Sequence, residues 1–206
     1  MLTAIELKSL EIQPKINDIS LSVLQEFYEI FLNPYTYKYT IISKDSSWEI
    51  SLKFKKENFC HLLGIESVVK QSVKFSERQN YRGKKGWQNI KDGKIDIKHL
   101  KQISKKKFQS IKAKYVYFYL IPNLIEKPLA VKYDRSKVNP PTQIECELLF
   151  YSKFNNAIIH LGLDKDEKGQ QENIYIPRTF FVEKLGKNTT KDIYINNQEH
   201  ISVIKK

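Results

Sequence analysis

This 206-residue chain has little of what usually marks an enzyme by sequence. It holds two cysteines, Cys60 and Cys146. Both stand among apolar neighbours and read as reduced core residues rather than a disulfide framework. Seven glycines are too few to hide a dinucleotide fingerprint. There is no Walker loop, H-E-x-x-H, CxxC pair, G-x-S-x-G or two-metal acid cluster, so neither cofactor nor metal is expected. No apolar stretch approaches the roughly 20 residues that span a bilayer. The start, MLTAIELKSLEIQPK, mixes acids into its apolar positions, unlike a secretory leader. A cytoplasmic protein without a membrane partner is the expectation.

What is present is a globular composition, 41% hydrophobic and 12% aromatic. No repeat, low-complexity tract or clean linker divides the chain, so residues 1–206 are expected to form a single domain. The net charge of +12 is unevenly spread. Between Lys70 and Lys114 stand 15 Lys/Arg against three acids, Glu77, Asp92 and Asp96, whereas the rest of the chain nets zero. One basic segment thus carries the whole excess, which suits a polyanion such as a nucleic-acid backbone. A merely solvated lysine-rich surface is the alternative, and an anionic membrane fits less well because no clean basic amphipathic helix is present.

The pattern predicts an α+β fold: an N-terminal helix and β-hairpin, a helical basic middle, and a C-terminal antiparallel sheet. Residues 20–32 read as a helix, with Ser20 as N-cap and Leu21, Leu24, Phe27, Tyr28 and Phe31 at helical spacing. A hairpin follows, with Tyr35, Tyr37, Tyr39 and Ile41 on one strand and Trp48, Ile50, Leu52 and Phe54 on the other. In "NFCHLLG", Asn58 is placed to cap one or two helical turns that Gly64 stops. Helical pieces are expected at 83–91 and after Asp96, while 114–122 fits helix or strand. Beyond residue 129 the strings "TQIECELLFY", "NAIIHLGL" and "NIYIPRTFFV" read as strands, the last two separated by the polar turn "DKDEKGQQE", and "DIYINNQEHISVI" as a closing hairpin.

The remaining candidates for chemistry are histidines, arginines and hydroxyls in apolar strings. His61 suits a general base or acid, or else is a satisfied structural histidine. Arg178 shares parity with Ile174, Ile176 and Phe180, so it faces the apolar side unless Pro177 resets the alternation. There it would need an anion: a phosphate, with Thr179 beside it, or an internal carboxylate such as Glu145 or Glu147. His160, opposite Ala157, Ile159 and Leu161, is a second proton-transfer candidate or a solvent-facing strand residue. His99 and His200 look like surface. Tyr81, Arg82, Lys84, Lys85, Lys105, Lys106, Lys107 and Lys137 are the candidates for nucleic-acid contact, with Tyr81 placed to stack on an unpaired base. The other aromatics of 115–119 read as core.

Two strings carry a family resemblance. "FKKENFCHLLGI" is similar to an aromatic, an apolar residue and then His-Leu-x-Gly, and "IYIPRTFF" to a late strand ending in Pro-Arg-Ser/Thr. "GWQNIKDGKIDIKHL" looks similar too, as a short helix, a glycine turn and a second helix. Over roughly residues 20–185 the chain resembles the phage- and mobile-element-associated nuclease domains of the barnase–EndoU–colicin–RelE superfamily. The resemblance implies a small antiparallel sheet packed on helices that cleaves RNA without metal, in a toxin or phage-conflict setting. It carries over to His61, Arg178 and Thr179, leaving His160 or Lys137 for the second proton transfer. The expected partners are RNA, tRNA or mRNA among the candidates, and a protein inhibitor or antitoxin. A non-catalytic nucleic-acid- or protein-binding module using the 70–114 segment is the alternative function.

Overall fold

The computed structural model describes residues 1–167, 173–185 and 192–206. The chain divides into two compact units that interleave in sequence: Met1–Pro34 with Lys55–Leu120, and Tyr35–Phe54 with Ile121–Lys206. The first unit is helical and contains the whole 70–114 basic segment; the second is built on strands.

In the helical unit, α1 (Ala4–Lys8) opens on a Thr3–Glu6 capping box. Helix α2 (Leu21–Phe31) starts where its cap predicts, with Ser20 Oγ accepting from the Val23 amide at 3.1 Å. It buries Leu21, Leu24, Phe27 and Tyr28 along one stripe. Two short helices, α3 (Phe59–Leu62) and α4 (Ile65–Val69), meet at Gly64, whose φ of +72° favours glycine. Both helical pieces expected of the basic segment are present as α5 (Gly83–Lys91) and α6 (Ile97–Ile103), the latter capped by Asp96, which accepts from the His99 amide at 2.6 Å. The ambiguous stretch is helical. Helix α7 (Lys105–Tyr117) runs into a 3-10 turn at Phe118–Leu120, and Tyr115, Tyr117, Phe118 and Tyr119 are all buried. Burial around every face erased the periodicity that would have distinguished helix from strand.

The second unit holds α8 (Ile121–Glu126) and seven strands: β1 (Thr36–Ile42), β2 (Ser47–Lys53), β3 (Leu129–Lys132), β4 (Leu148–Phe154), β5 (Ala157–Lys165), β6 (Ile174–Lys184) and β7 (Glu199–Lys205). The expected C-terminal antiparallel sheet is instead part of a closed barrel, in the order β1-β2-β6-β5-β4-β3-β7, that takes in the N-terminal hairpin. An odd number of strands cannot alternate direction around a closed ring. One parallel seam is unavoidable, and it falls at β2–β6, where Ser51 pairs with Ile174 and Leu52 with Tyr175. The Ser51 amide donates to the Asn173 carbonyl at 2.9 Å beside that seam.

Two strand boundaries also differ from expectation. Ile144 and Cys146 precede β4 rather than lying within it, and "DIYINNQEHISVI" supplies turns at 193–197 and a single strand, β7, rather than a hairpin. Residues 168–172 of the polar turn "DKDEKGQQE" lie outside the described residues. One face of the barrel strands carries Tyr39, Ile50, Leu52, Phe150, Leu161 and Phe180, all buried. The opposite face of β3, β4 and β5 is covered too. Val131, Leu149, Tyr151 and Ile158 pack there with Tyr133, Val138, Cys146 and Ile195.

Candidate active site

The turn that carries His61 is anchored by its neighbours. Phe59 packs edge-on against Tyr28 at 5.3 Å, Trp87 at 5.2 Å and Phe118 at 5.8 Å between ring centroids. Phe59, Cys60, Leu62 and Leu63 are all buried, and burial pushes the Cys60 thiol up to about 12. His61 is the one side chain of that run left in water, 49% exposed, with Nδ1 3.8 Å from Glu66 Oε1. Asn58 does not cap α3. Its Oδ1 accepts from the Lys55 amide at 3.0 Å and so closes the preceding turn instead.

Two further elements press on this turn. Gly86 of α5 lies so close that a Cβ there would sit 2.8 Å from Cys60 Sγ and 2.6 Å from the Tyr81 carbonyl carbon. Helix α5 thereby sets Lys84 and Lys85, both exposed, on the same body as His61, and Lys84 Nζ reaches Glu57 Oε1 at 3.5 Å. From α7, Lys114 lays its Cδ and Cε 3.5 Å from the Cβ position of Gly64. Burial lowers its ammonium to about 8. The sequence reading counted Lys114 only as charge. Its signal is its place on the stripe of α7 between the buried Ile111 and Tyr115, where a lysine is out of character.

Other predicted contacts are spread over the chain. Arg82, Lys105 and Lys106 are exposed, and Lys107 is half-exposed at the start of α7. Tyr81 is half-buried and paired: its hydroxyl and His99 Nε2 lie 3.0 Å apart, with the rings parallel at 6.0 Å. Lys137 is exposed in a 3-10 turn at Arg135–Lys137 of the barrel unit, apart from the basic segment in sequence.

In the barrel unit, the reset at Pro177 takes the form of a bulge. Gly162 pairs with Thr179 and Leu163 with Pro177, so Arg178 is the extra residue. Tyr175 and Pro177 are buried before the bulge and Phe180 after it, which turns Arg178 outward, 59% exposed. Its internal partner is Asp164, with Nε 3.6 Å from Oδ2, not Glu145 or Glu147. Asp164 also accepts from the Glu147 amide at 2.8 Å, and burial holds its carboxyl above the usual range despite Arg178. Thr179 is half-buried. Its methyl lies 2.7 Å from where a Cβ of Gly162 would stand, so the bulge depends on that glycine.

His160 is placed on the expected face but not in solvent. It is 0% exposed, because the second apolar layer covers that face. Its ring stacks on Phe181 at 4.3 Å, and Nε2 is 3.7 Å from Asp192 Oδ1. Burial lowers its basicity against the pull of Asp192. The Glu183 carboxyl completes this cluster, pushed up to about 7 by burial and then by Asp192. Sequence reasoning missed Glu183 and Asp192, since only the fold brings them to His160. In the helical unit the structure thus brings Lys114 against Gly64 and α5 against Cys60, both in the turn that carries His61, and in the barrel unit it sets Arg178 beside Thr179.

Among the described residues, no helix is long and apolar enough to cross a membrane. No curated protein and no solved structure matches the chain. A family model does, over residues 22–206, which takes in every candidate residue above. The chain belongs to the family described as phage-Barnase-EndoU-ColicinE5/D-RelE like nuclease4.

Proposed function

We propose that this chain is an endoribonuclease that cleaves RNA through attack of a 2′-hydroxyl on the adjacent phosphate. The observation that carries this reading is His61, exposed at the tip of an otherwise buried turn, in the unit that contains the basic 70–114 segment. Family membership supports nuclease chemistry and a nucleic-acid substrate.

His61 takes the proton of the attacking 2′-hydroxyl. As the new P–O2′ bond forms and the P–O5′ bond breaks, the leaving 5′-oxygen needs a proton, and the Lys114 ammonium, lowered to about 8, is suited to give it near neutral pH. His160 is withdrawn from that role by its burial. Arg178 and Thr179, in the barrel unit, are assigned to contact with an RNA phosphate, the arginine through its charge. The products are a 2′,3′-cyclic phosphate and a 5′-hydroxyl, and side-chain proton transfer suffices without a metal at the scissile bond. The basic segment draws the RNA in, with Tyr81, Arg82, Lys84, Lys85 and Lys105–Lys107 as contacts and Lys137 as a contact from the barrel unit. We assign it a toxin or phage-conflict role, restrained by an antitoxin, a reading that the phage-type nuclease family supports.

One observation favours a non-catalytic binding module: His61 and Arg178 each have a carboxylate nearby, Glu66 and Asp164. A cleavage assay on a mixed RNA pool in EDTA separates the two readings, with folding of each protein checked in EDTA by circular dichroism. Cyclic-phosphate ends from wild type, lost by two to four orders of magnitude in His61→Ala and strongly reduced in Arg178→Ala, are expected. Wild-type activity retained in a folded His61→Ala would sink the assignment; RNA binding without cleavage would favour the binding module.

A further inference from the structure

Buried polar atoms that lack partners are rare in folded proteins and call for a reason. Among the described residues, every buried imidazole or carboxylate atom of this kind belongs to one cluster: both ring nitrogens of His160, Oε2 of Glu183 and Oδ1 of Asp192. His160 and Asp192 are buried, at 0% and 7% exposure, and Glu183 is half-buried. The histidine ring is held between the parallel face of Phe181 at 4.3 Å and the edge of Tyr194 at 5.6 Å. Packing therefore fixes its plane and turns Nε2 toward Asp192, at 3.7 Å, too far for a hydrogen bond.

One donor atom from each of the three residues lies within 4.8 Å of the others. A tetrahedral ion about 2.0–2.2 Å from each donor sets the donors roughly 3.3–3.6 Å apart, so the widest side of that triangle contracts by up to about 1.3 Å on binding. The donor set is one imidazole and two carboxylates. It suits a borderline divalent transition ion; hard Mg²⁺ and Ca²⁺ prefer oxygen alone. The three ligands come from β5, from β6 and from the 192–198 segment. That segment is also held by Gln198, which bonds the backbone of Asp134 at 2.8 and 2.9 Å, and by Ile195, buried in the apolar layer over the strands.

We propose that His160, Glu183 and Asp192 form a structural site for a divalent transition cation of the Zn²⁺ type, fastening the 192–198 segment to the barrel strands. Water or a second carboxylate oxygen fills the fourth position. The site has no part in the proposed cleavage, and its presence does not depend on that reading.

The test uses the full chain stripped with EDTA, dialysed free of chelator and titrated with ZnCl₂ by calorimetry. One equivalent binds, and the melting temperature rises by several degrees, because an ion that binds only the folded state stabilises it. Asp192→Asn and Glu183→Gln keep shape and polarity, and each weakens binding at least tenfold and abolishes the thermal shift. His61→Ala binds as wild type, and MgCl₂ produces no shift. No heat and no shift with excess ZnCl₂ on folded wild type would overturn the proposal, leaving a hydrated or protonated polar cluster. Equal binding in both carboxamide variants would overturn it as well, by placing the zinc elsewhere.

Discussion

His61 is the exposed member of a buried turn, and the cost of that arrangement is small because the turn's apolar residues do the anchoring. The string "NFCHLLG" made it legible, since a lone imidazole among core residues must either find a partner or face water. Lys114 was not legible, because residues 114–122 fit helix and strand equally and its helical stripe could not be drawn. Its burial carries a pH consequence. The folded ammonium lies at about 8 against an ordinary 10.5, so between those values the unfolded chain binds more protons and stability rises with pH. Below about pH 8 the full cost of burying the charge is present. Cys60, with its thiol raised to about 12, acts in the opposite sense above pH 9, so the comparison must be made against a variant. Lys114→Met is expected to be more stable than wild type at pH 7, with the difference shrinking from pH 8 to 10 in urea melts. A constant difference across that range would mean that the amine is solvated. Lys114→Met is also expected to be a poor nuclease, and Lys114→Arg to lose the alkaline fall of kcat/KM near pH 8, as an acid that no longer titrates there requires.

At the scale of elements, the helix starts expected after Ser20 and Asp96 are capped by those residues, whereas Asn58, also expected as a cap, closes the preceding turn instead. Ser20 and Asp96 mark the starts of α2 and α6 because a cap is satisfied within three residues of itself. The final hairpin was misread because the polar string "NNQ" has turn composition, whereas its first half folds as turns and belongs to the covering layer of the barrel. The bulge at Arg178 depends on Gly162 across the strands, which no single strand reveals. Gly86 offers a sharp test of such close approach. Alanine in the interior of a helix normally stabilises by up to about 1 kcal/mol over glycine. Here its methyl would meet the Tyr81 backbone at 2.6 Å and Cys60 Sγ at 2.8 Å. Gly86→Ala is therefore expected to lose about 1–3 kcal/mol, seen as a lower urea midpoint with unchanged slope. A stabilised Gly86→Ala would show that α5 can move away from the His61 turn freely.

At the scale of the molecule, barrel closure was beyond the sequence because the seam joins β2 to β6 by two residue pairs contributed from opposite ends of the chain. The charge asymmetry was not beyond it. All of the net +12 lies between Lys70 and Lys114, and the whole of that segment falls inside the helical unit. If this unit meets the RNA backbone, affinity must fall with salt in proportion to the phosphates neutralised, by a slope of about 0.7 per contact on single strands. Replacing Lys105, Lys106 and Lys107 together with alanine removes three such contacts. The slope of log K against log salt should then drop by about 2, and binding at low salt should weaken without a change in fold. Lys44, Lys132 and Lys153 are also exposed, but they lie in the barrel unit, outside the segment. Their triple alanine variant removes the same formal charge and should leave the slope nearly unchanged. If the two variants lower it equally, the RNA responds to total charge rather than to the basic segment, and the segment loses its place as the docking surface.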